Sequence, residues 1–142
     1  MSRASQPTGA TELVAALFAA GAILAFAGSA SAQPDQGASP PASFAGGWTT
    51  TEGDMSVTQQ GADIAGTYSK RGGRVSGEAA GAQAVGYWYQ DVSDQACDTQ
   101  RSGTSYWGRF TWTLSADGSH FDGAYSYCGA DPTYSWTGDR QN

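Results

Sequence analysis

The stretch FDGAY (121–125) places a glycine between two aromatic residues, at a spacing of two on either side. A glycine recurs in the same central position of FAGGW (44–48), IAGTY (64–68), VSGEA (75–79), AVGYW (84–88), YWGRF (106–110) and WTGDR (136–140). Because side chains alternate between the faces of a β-strand, each glycine shares a face with the large residues beside it. Glycine is a poor strand residue, so its placement predicts sharp bending around a crowded interior.

The segments around these glycines alternate between apolar and polar residues and are separated by turn residues, as β-strands are. Eight such segments follow one another, at 46–51, 55–59, 62–69, 73–79, 82–90, 104–115, 119–127 and 133–140. No segment after residue 43 has helical spacing. We therefore predict an all-β fold, an eight-stranded antiparallel up-and-down barrel in one domain at 44–142, with an open-ended sandwich as the alternative.

The turns predict two different ends of this barrel. The second, fourth and sixth connections are short and carry Gly61, Gly81 and Gly118. The odd connections, at 51–54, 69–73, 91–103 and 128–132, are longer. Since successive connections of a meander alternate between its ends, one end is predicted to be closed and the other to form an open mouth.

The residues predicted to face inward are mostly aromatic: Phe44, Trp48, Met55, Val57, Ile64, Tyr68, Val75, Trp88, Tyr106, Phe110, Trp112, Leu114, Phe121, Tyr125, Tyr134 and Trp136. Eight strands enclose only enough space for side chains or one small ligand. We therefore predict a largely filled barrel in which any ligand is held shallowly at the mouth.

Residues 1–32 predict a cleaved signal peptide. An apolar run at 13–27 follows Arg3 and precedes the small-residue pattern of Ala30 and Ala32. The run is short of the roughly 20 residues that span a bilayer, so an uncleaved anchor is the weaker alternative. Residues 33–43, QPDQGASPPAS, predict a flexible leader. The mature protein is expected to be periplasmic or secreted.

Cysteine content and charge restrict the chemistry and the partners. Cys97 and Cys128 are the only cysteines, and disulfides persist in the compartments that exported chains reach, so we predict a bond between them. Both lie in odd connections, so the bond would join two loops of the mouth. Arg3 and Glu12 cancel, and residues 33–142 keep the net charge of −6. This acidity argues against nucleic acid or an anionic membrane as a partner.

The motif order resembles that of the avidin-like and lipocalin-like up-and-down barrels. The resemblance covers roughly 44–140 and is carried by GGW (46–48), AGTY (65–68), GYW (86–88) and YWG (106–108). The glycine-spaced meander also resembles uncharacterised exported bacterial proteins. The resemblance implies eight strands and a ligand entering at the odd-connection end, with Tyr68 at a position of ligand contact. Thr50 and Asp54 stand where the avidin pattern has Asn and Ser, so biotin is not implied.

Catalytic chemistry is not predicted. The sole histidine, His120, lies beside a closed-end turn, so a Ser-His-Asp or Cys-His site is not expected. Glu52 and Asp54 belong to a mouth turn, where carboxylates are usually solvated and poorly suited to acid–base work on a glycosidic bond. The run DVSDQACD (91–98) offers oxygen ligands for calcium but lacks the EF-hand spacing. We predict no enzyme activity, metal or cofactor.

Two surfaces are candidates for function. The side chains expected at the mouth suit a small molecule or a glycan: Glu52, Tyr68, Arg71, Trp88, Tyr89 and Arg101. On the outer face, Tyr87, Tyr89 and Trp107 form either ordinary cross-strand pairs or a contact surface for a homo-oligomer. We therefore expect an exported non-catalytic binding module with a shallow site at the long-loop end. The alternative is a structural or assembly protein of the envelope or extracellular matrix that associates through the outer aromatic face.

Overall fold

The computed structural model describes residues 41–142, so the predicted signal peptide (1–32) and residues 33–40 of the leader (33–43) lie outside the described residues. Nine β-strands follow one another: β1 (Gly46–Thr50), β2 (Gly53–Gln60), β3 (Asp63–Tyr68), β4 (Gly73–Ala80), β5 (Gln83–Tyr89), β6 (Trp107–Leu114), β7 (His120–Tyr125), β8 (Tyr134–Ser135) and β9 (Gly138–Arg140). One 3-10 turn, Lys70–Gly72, precedes β4, and residues 41–142 contain no α-helix. The predicted all-β class is confirmed.

The strands form one antiparallel sheet that closes on itself. Each strand from β1 to β7 pairs with its neighbour along the chain, and β9 pairs with both β7 and β1. β8 and β9 are the two halves of the last predicted strand, interrupted at Trp136 and Thr137. The fold is therefore the predicted eight-stranded up-and-down barrel.

Aromatic rings lie directly over the glycines of the inner face. The pairs are Trp88 on Gly108, Phe110 on Gly86, Trp112 on Gly123 and Phe121 on Gly138. A Cβ atom built on any of these four glycines would meet the ring at less than 3.0 Å, a distance that side chains do not tolerate. Each of these four glycines thus leaves the space that a neighbouring ring occupies, whereas Gly66 and Gly77 lie closest to the backbone of a neighbouring strand.

The two ends of the barrel differ as predicted, with one correction. Short connections at 61–62, 81–82 and 115–119 close one end, and the other end carries the loops 90–106 and 126–133. The connection predicted at 51–54 is shorter, because β2 already begins at Gly53. The hydroxyl of Thr50 donates to the Gly53 carbonyl at 2.7 Å and accepts from the Glu52 amide at 3.0 Å, which makes this turn tight.

Arg140 ties the closed end together. Its guanidinium donates to the backbone carbonyls of Ser43 at 2.7 Å, Ala45 at 2.6 Å and Gly118 at 2.8 Å. The same group lies 4.2 Å from the centroid of the Trp48 ring. Hydrogen bonds from a charged donor and a cation–π contact are both stabilising, so one side chain joins three segments at this end.

Thirteen of the residues predicted to face inward are buried. The exceptions are three tyrosines near the open end. Tyr106 and Tyr125 are half-buried, and Tyr134 is 53% exposed. The prediction that Tyr134 is enclosed is wrong, because it pairs with Tyr125 in the short β8, where the barrel wall ends.

Gly108→Ala tests the role of the inner glycines. A Cβ at this position would overlap the Ser126 carbonyl and lie 2.6 Å from Trp88 Nε1, so the wall must shift. We expect the free energy of unfolding to fall by about 2–4 kcal/mol in urea denaturation. The matched control is Gly129→Ala, where no atom lies within 4 Å of the added group and a change within about 0.5 kcal/mol is expected. Equal effects of the two substitutions would contradict this explanation.

His120 lies at the closed end between two carboxylates. Its Nδ1 is 2.8 Å from Asp139 Oδ1 and its Nε2 is 3.3 Å from Asp122 Oδ1. Hydrogen bonding to Asp139, and then to Asp122, raises the pKa of His120 above its ordinary value of 6.5. The protonated form is therefore favoured by folding, and its contribution to stability is present below pH 6.5 and lost as the pH rises through the folded pKa.

An NMR titration of the His120 ring should give a pKa above 6.5 in the folded protein. Asp139→Asn should lower this pKa more than Asp122→Asn, because the Asp139 contact is the shorter one. Asp63→Asn, which removes a carboxylate from β3, serves as the control and should leave the pKa unchanged. A pKa at or below 6.5 in the unsubstituted protein would rule out the arrangement described.

Candidate functional site

The open end of the barrel carries a shallow depression. Its walls come from the 3-10 turn Lys70–Gly72, the start of loop 90–106, the end of β7 and the start of loop 126–133. The space not filled by atoms is about 290 Å³, open solvent included, and the depression has room for about one or two water molecules. The depression lies where the mouth was predicted.

Five aromatic side chains line the depression: Tyr68, Trp88, Tyr125, Tyr127 and Trp136. Trp136, Trp88 and Tyr68 are only 1%, 3% and 5% exposed, so these three form its floor. The rings meet edge to face, with centroids 5.3 Å apart for Tyr68 and Trp136 and 5.7 Å apart for Trp88 and Tyr127. Such contacts stabilise aromatic clusters, so the floor is a preformed part of the core.

Two ion pairs border the depression. Lys70 Nζ contacts Glu52 Oε2 at 2.6 Å, and Arg71 Nη2 contacts Asp94 Oδ1 at 2.9 Å. The Glu52 side chain is 14% exposed, whereas that of Asp94 is 70% exposed. Two uncharged side chains complete the polar lining, those of Gln90 and Ser93. The site therefore presents hydrogen-bonding groups over an aromatic floor, and its four charged side chains contribute no net charge.

Two tyrosine hydroxyls of the site stay protonated at ordinary pH. Burial raises the pKa of Tyr68 well above its ordinary value, and the negative charge of Glu52 acts in the same direction. Burial raises the pKa of Tyr125 to about 12, again with a contribution from Glu52. Both hydroxyls are therefore uncharged groups that can donate and accept hydrogen bonds.

Rings fill the barrel beneath the depression. Phe110 stacks on Trp112 with centroids 4.1 Å apart, and Trp112 meets Trp136 edge to face at 5.1 Å. Gly66 and Gly108, which a deep cavity would have to pass, do not line the depression. This agrees with the expected filled interior and leaves the rim as the place for a ligand.

Four of the six residues expected at the mouth line the depression: Glu52, Tyr68, Arg71 and Trp88. The placement of Tyr89 and Arg101 at the mouth is wrong. Tyr89 follows the inward-facing Trp88, so the alternation of β5 turns it to the outer face, where it pairs with Trp107. Arg101 also lies outside, with its guanidinium carbon 3.9 Å from the centroid of the Tyr87 ring.

Loop 90–106 covers much of the outer aromatic face formed by Tyr87, Tyr89 and Trp107. Tyr89 and Trp107 are 6% and 7% exposed, and Tyr87 is half-buried. The Trp107 indole donates to the Thr99 carbonyl at 2.9 Å, and the Tyr87 and Trp107 rings meet edge to face at 6.0 Å. A partner could contact Tyr89 and Trp107 only if this loop moved away.

The predicted Cys97–Cys128 disulfide is present, with Cα atoms 5.6 Å apart. It joins loop 90–106 to loop 126–133. Asp94 lies shortly before Cys97, and Tyr127 directly precedes Cys128. The bond therefore holds together two walls of the depression.

Seven lining residues were not among those named for the mouth. Tyr125 and Trp136 were predicted only to face inward, and the other five are Lys70, Gln90, Ser93, Asp94 and Tyr127. The sequence does contain a signal for Tyr127, which lies two residues after the inward Tyr125 and beside Cys128. Ser93 and Asp94 have no such signal. Their position depends on contacts that bend the loop inward, such as the bond from the Asp91 amide to the Arg71 carbonyl at 3.1 Å.

Within residues 41–142, no group of three or more His, Cys, Asp or Glu side chains could hold a metal ion. No helix in the same range is long and apolar enough to cross a membrane. Comparisons with protein families, curated proteins and solved structures found no match for this chain. The architecture is consistent with a lipocalin-like or avidin-like barrel. Fold and site together define a closed eight-stranded barrel with a shallow, polar and aromatic depression at its open end.

Replacing both cysteines by serine tests the role of the disulfide. The bond closes a sequence separation of 31 residues, for which chain entropy gives a loss of about 3–4 kcal/mol in the free energy of unfolding. Hydrogen exchange should accelerate in loops 90–106 and 126–133 and stay slow in β2 to β4. Urea denaturation and exchange measurements check the two parts, and unchanged protection in both loops would contradict the role assigned to the bond.

Proposed function

We propose that this protein is an exported, non-catalytic binding module that holds a small ligand in the depression at the open end of its barrel. The observation that carries the proposal is the convergence of five aromatic side chains and two ion pairs on one rim. Apolar and aromatic surface with a few convergent polar groups is the usual composition of a ligand site.

The carboxylates of the site support binding rather than turnover. Glu52 and Asp94 each contact a basic side chain, at 2.6 Å and 2.9 Å, and the hydrogen bond from Arg71 lowers the pKa of Asp94 below its ordinary value. A general acid would need a raised pKa, and a general base would need a free position beside the reacting group. His120 lies at the opposite end of the barrel, as the first residue of β7.

Export is supported by two features. The disulfide is of the kind that persists in oxidising compartments. The pattern at 1–32 is that of a signal peptide. Assembly through the outer aromatic face, the alternative function, has less support because two of its three side chains, Tyr89 and Trp107, are buried.

Binding can be tested by NMR with a panel of small probes, each added singly: methyl glucoside, choline, acetate, adenosine and glycine. At least one should shift the indole signals of Trp88 and Trp136. Arg71→Ala should weaken the binding of that probe by about tenfold, because the substitution removes a side chain that forms part of the wall of the site. The matched control is Arg109→Ala, which breaks a similar ion pair with Asp131 (3.0 Å) outside the depression and should leave binding unchanged.

Failure of every probe to shift the two indole signals, in this panel and in a second panel of methyl glycosides, would contradict the proposal. Equal weakening by the two arginine substitutions would contradict the location of the site. Chemical conversion of a bound probe would contradict the non-catalytic part.

A further inference from the structure

The side chains of the depression suit one class of ligand. We propose that it binds a single neutral, polyhydroxylated ring, such as a terminal sugar residue of a glycan. This inference rests on the proposed function and adds the chemical class of the ligand.

An anionic ligand would have to compete with carboxylates that are already in place. Lys70 is 2.6 Å from Glu52, whose side chain is 14% exposed, so drawing Lys70 away would leave a mostly buried carboxylate unpaired. Leaving a buried charge without its partner is strongly unfavourable. Arg71 is also engaged, by Asp94 at 2.9 Å, in a pair whose carboxylate is 70% exposed. Both basic groups are therefore occupied before an anion arrives.

A cationic ligand would need free carboxylates or open ring faces. Both carboxylates are paired. The rings also face one another, since Trp88 is at 85° to both Tyr125 and Tyr127, and Tyr68 is at 67° to Trp136. In an edge-to-face pair one ring covers the face of the other, whereas an ammonium group binds over an open face.

A polyol can use both ion pairs without breaking them. Its hydroxyls can donate to the outer lone pairs of Glu52 or Asp94 and accept from the remaining N–H groups of Lys70 or Arg71. Hydrogen bonds with a charged partner are stronger than neutral ones. Because the charges within each ion pair balance, we expect the site to bind a neutral ligand better than a charged one.

The remaining groups are neutral and match hydroxyls as well. The Gln90 amide and the Ser93 hydroxyl can each donate and accept, as can the protonated hydroxyl of Tyr125. The rings of Tyr125 and Tyr127 line the depression and are half-buried, so the apolar area that their ring contacts leave uncovered can contact the C–H groups of a sugar ring.

The size of the depression limits the ligand to one ring. Its open volume is about 290 Å³ with solvent included, and only about one or two water molecules fit within it. A ring can therefore insert one edge and keep the other in solvent. This geometry suits the end of a glycan rather than an enclosed carrier ligand.

The test compares four methyl glycosides that share one ring size: the glucoside and the N-acetylglucosaminide, which are neutral, the glucuronide, an anion, and the glucosaminide, a cation. Binding is followed by NMR at the Trp88 and Trp136 indoles of the disulfide-intact protein. We expect at least one neutral glycoside to bind with a Kd of about 1–10 mM, and both charged ones to bind about tenfold more weakly or not at all.

A charge change makes the test sharper. Glu52→Gln leaves Lys70 without its carboxylate, so the preference for the glucuronide over the glucoside should rise by about tenfold. Asp94→Asn likewise leaves Arg71 without its carboxylate. Because the Asp94 side chain is 70% exposed, this variant can be used if Glu52→Gln does not fold. The matched control is Asp63→Asn, which removes one negative charge from β3 and should leave the preference unchanged.

Tighter binding of the glucuronide or the glucosaminide than of either neutral glycoside would overturn this inference and leave the binding module in place. If none of the four glycosides shifts the indole signals while choline, acetate, adenosine or glycine does, the inference is likewise overturned and the binding module remains. If no probe of either panel shifts these signals, both the inference and the proposed function are overturned.

Discussion

The limited width of an eight-stranded barrel governs this molecule. Such a barrel is only wide enough for side chains or one small ligand, yet this one encloses Trp48, Trp88, Trp112 and Trp136. Three of these indoles have a hydrogen-bond acceptor within the wall, but Trp112 Nε1 is the one buried side-chain polar atom of residues 41–142 without a partner. Two of the rings, those of Trp88 and Trp112, fit because the opposing positions are Gly108 and Gly123.

A filled interior places any ligand site at the rim, where the barrel alone offers little structure. The rim is built by loops 90–106 and 126–133 and by the 3-10 turn, and the Cys97–Cys128 bond connects the two loops. The floor remains part of the core, since Trp88 and Trp136 are almost fully buried. The site thus combines a rigid base with walls held by one covalent bond, an arrangement that lowers the ordering cost of binding.

Strand alternation made most of the fold predictable from the sequence, because period-two patterns and glycine turns are local signals. The same alternation, applied strictly, excludes Tyr89 from a mouth that contains Trp88. Other errors could not have been avoided from local sequence patterns. The path of Ser93 and Asp94 depends on contacts between distant segments, and the exposure of Tyr134 depends on where the wall ends. The sequence therefore predicts which end carries the site better than it predicts which loop residues line it.

The outer aromatic cluster and the rim site are connected through loop 90–106. Trp107 faces outward, yet it is buried because the loop folds back over it, with the indole bonded to the Thr99 carbonyl at 2.9 Å. The Thr104 hydroxyl donates to the carbonyl of Gln90 at 2.8 Å, which connects this covering segment to a residue that lines the depression. The outer face of the barrel is otherwise mostly polar. An outward-facing aromatic residue such as Trp107 thus holds the loop in place, because the loop buries its apolar area. The position of the site's wall is therefore set partly from outside the barrel, by side chains that never contact a ligand in the depression.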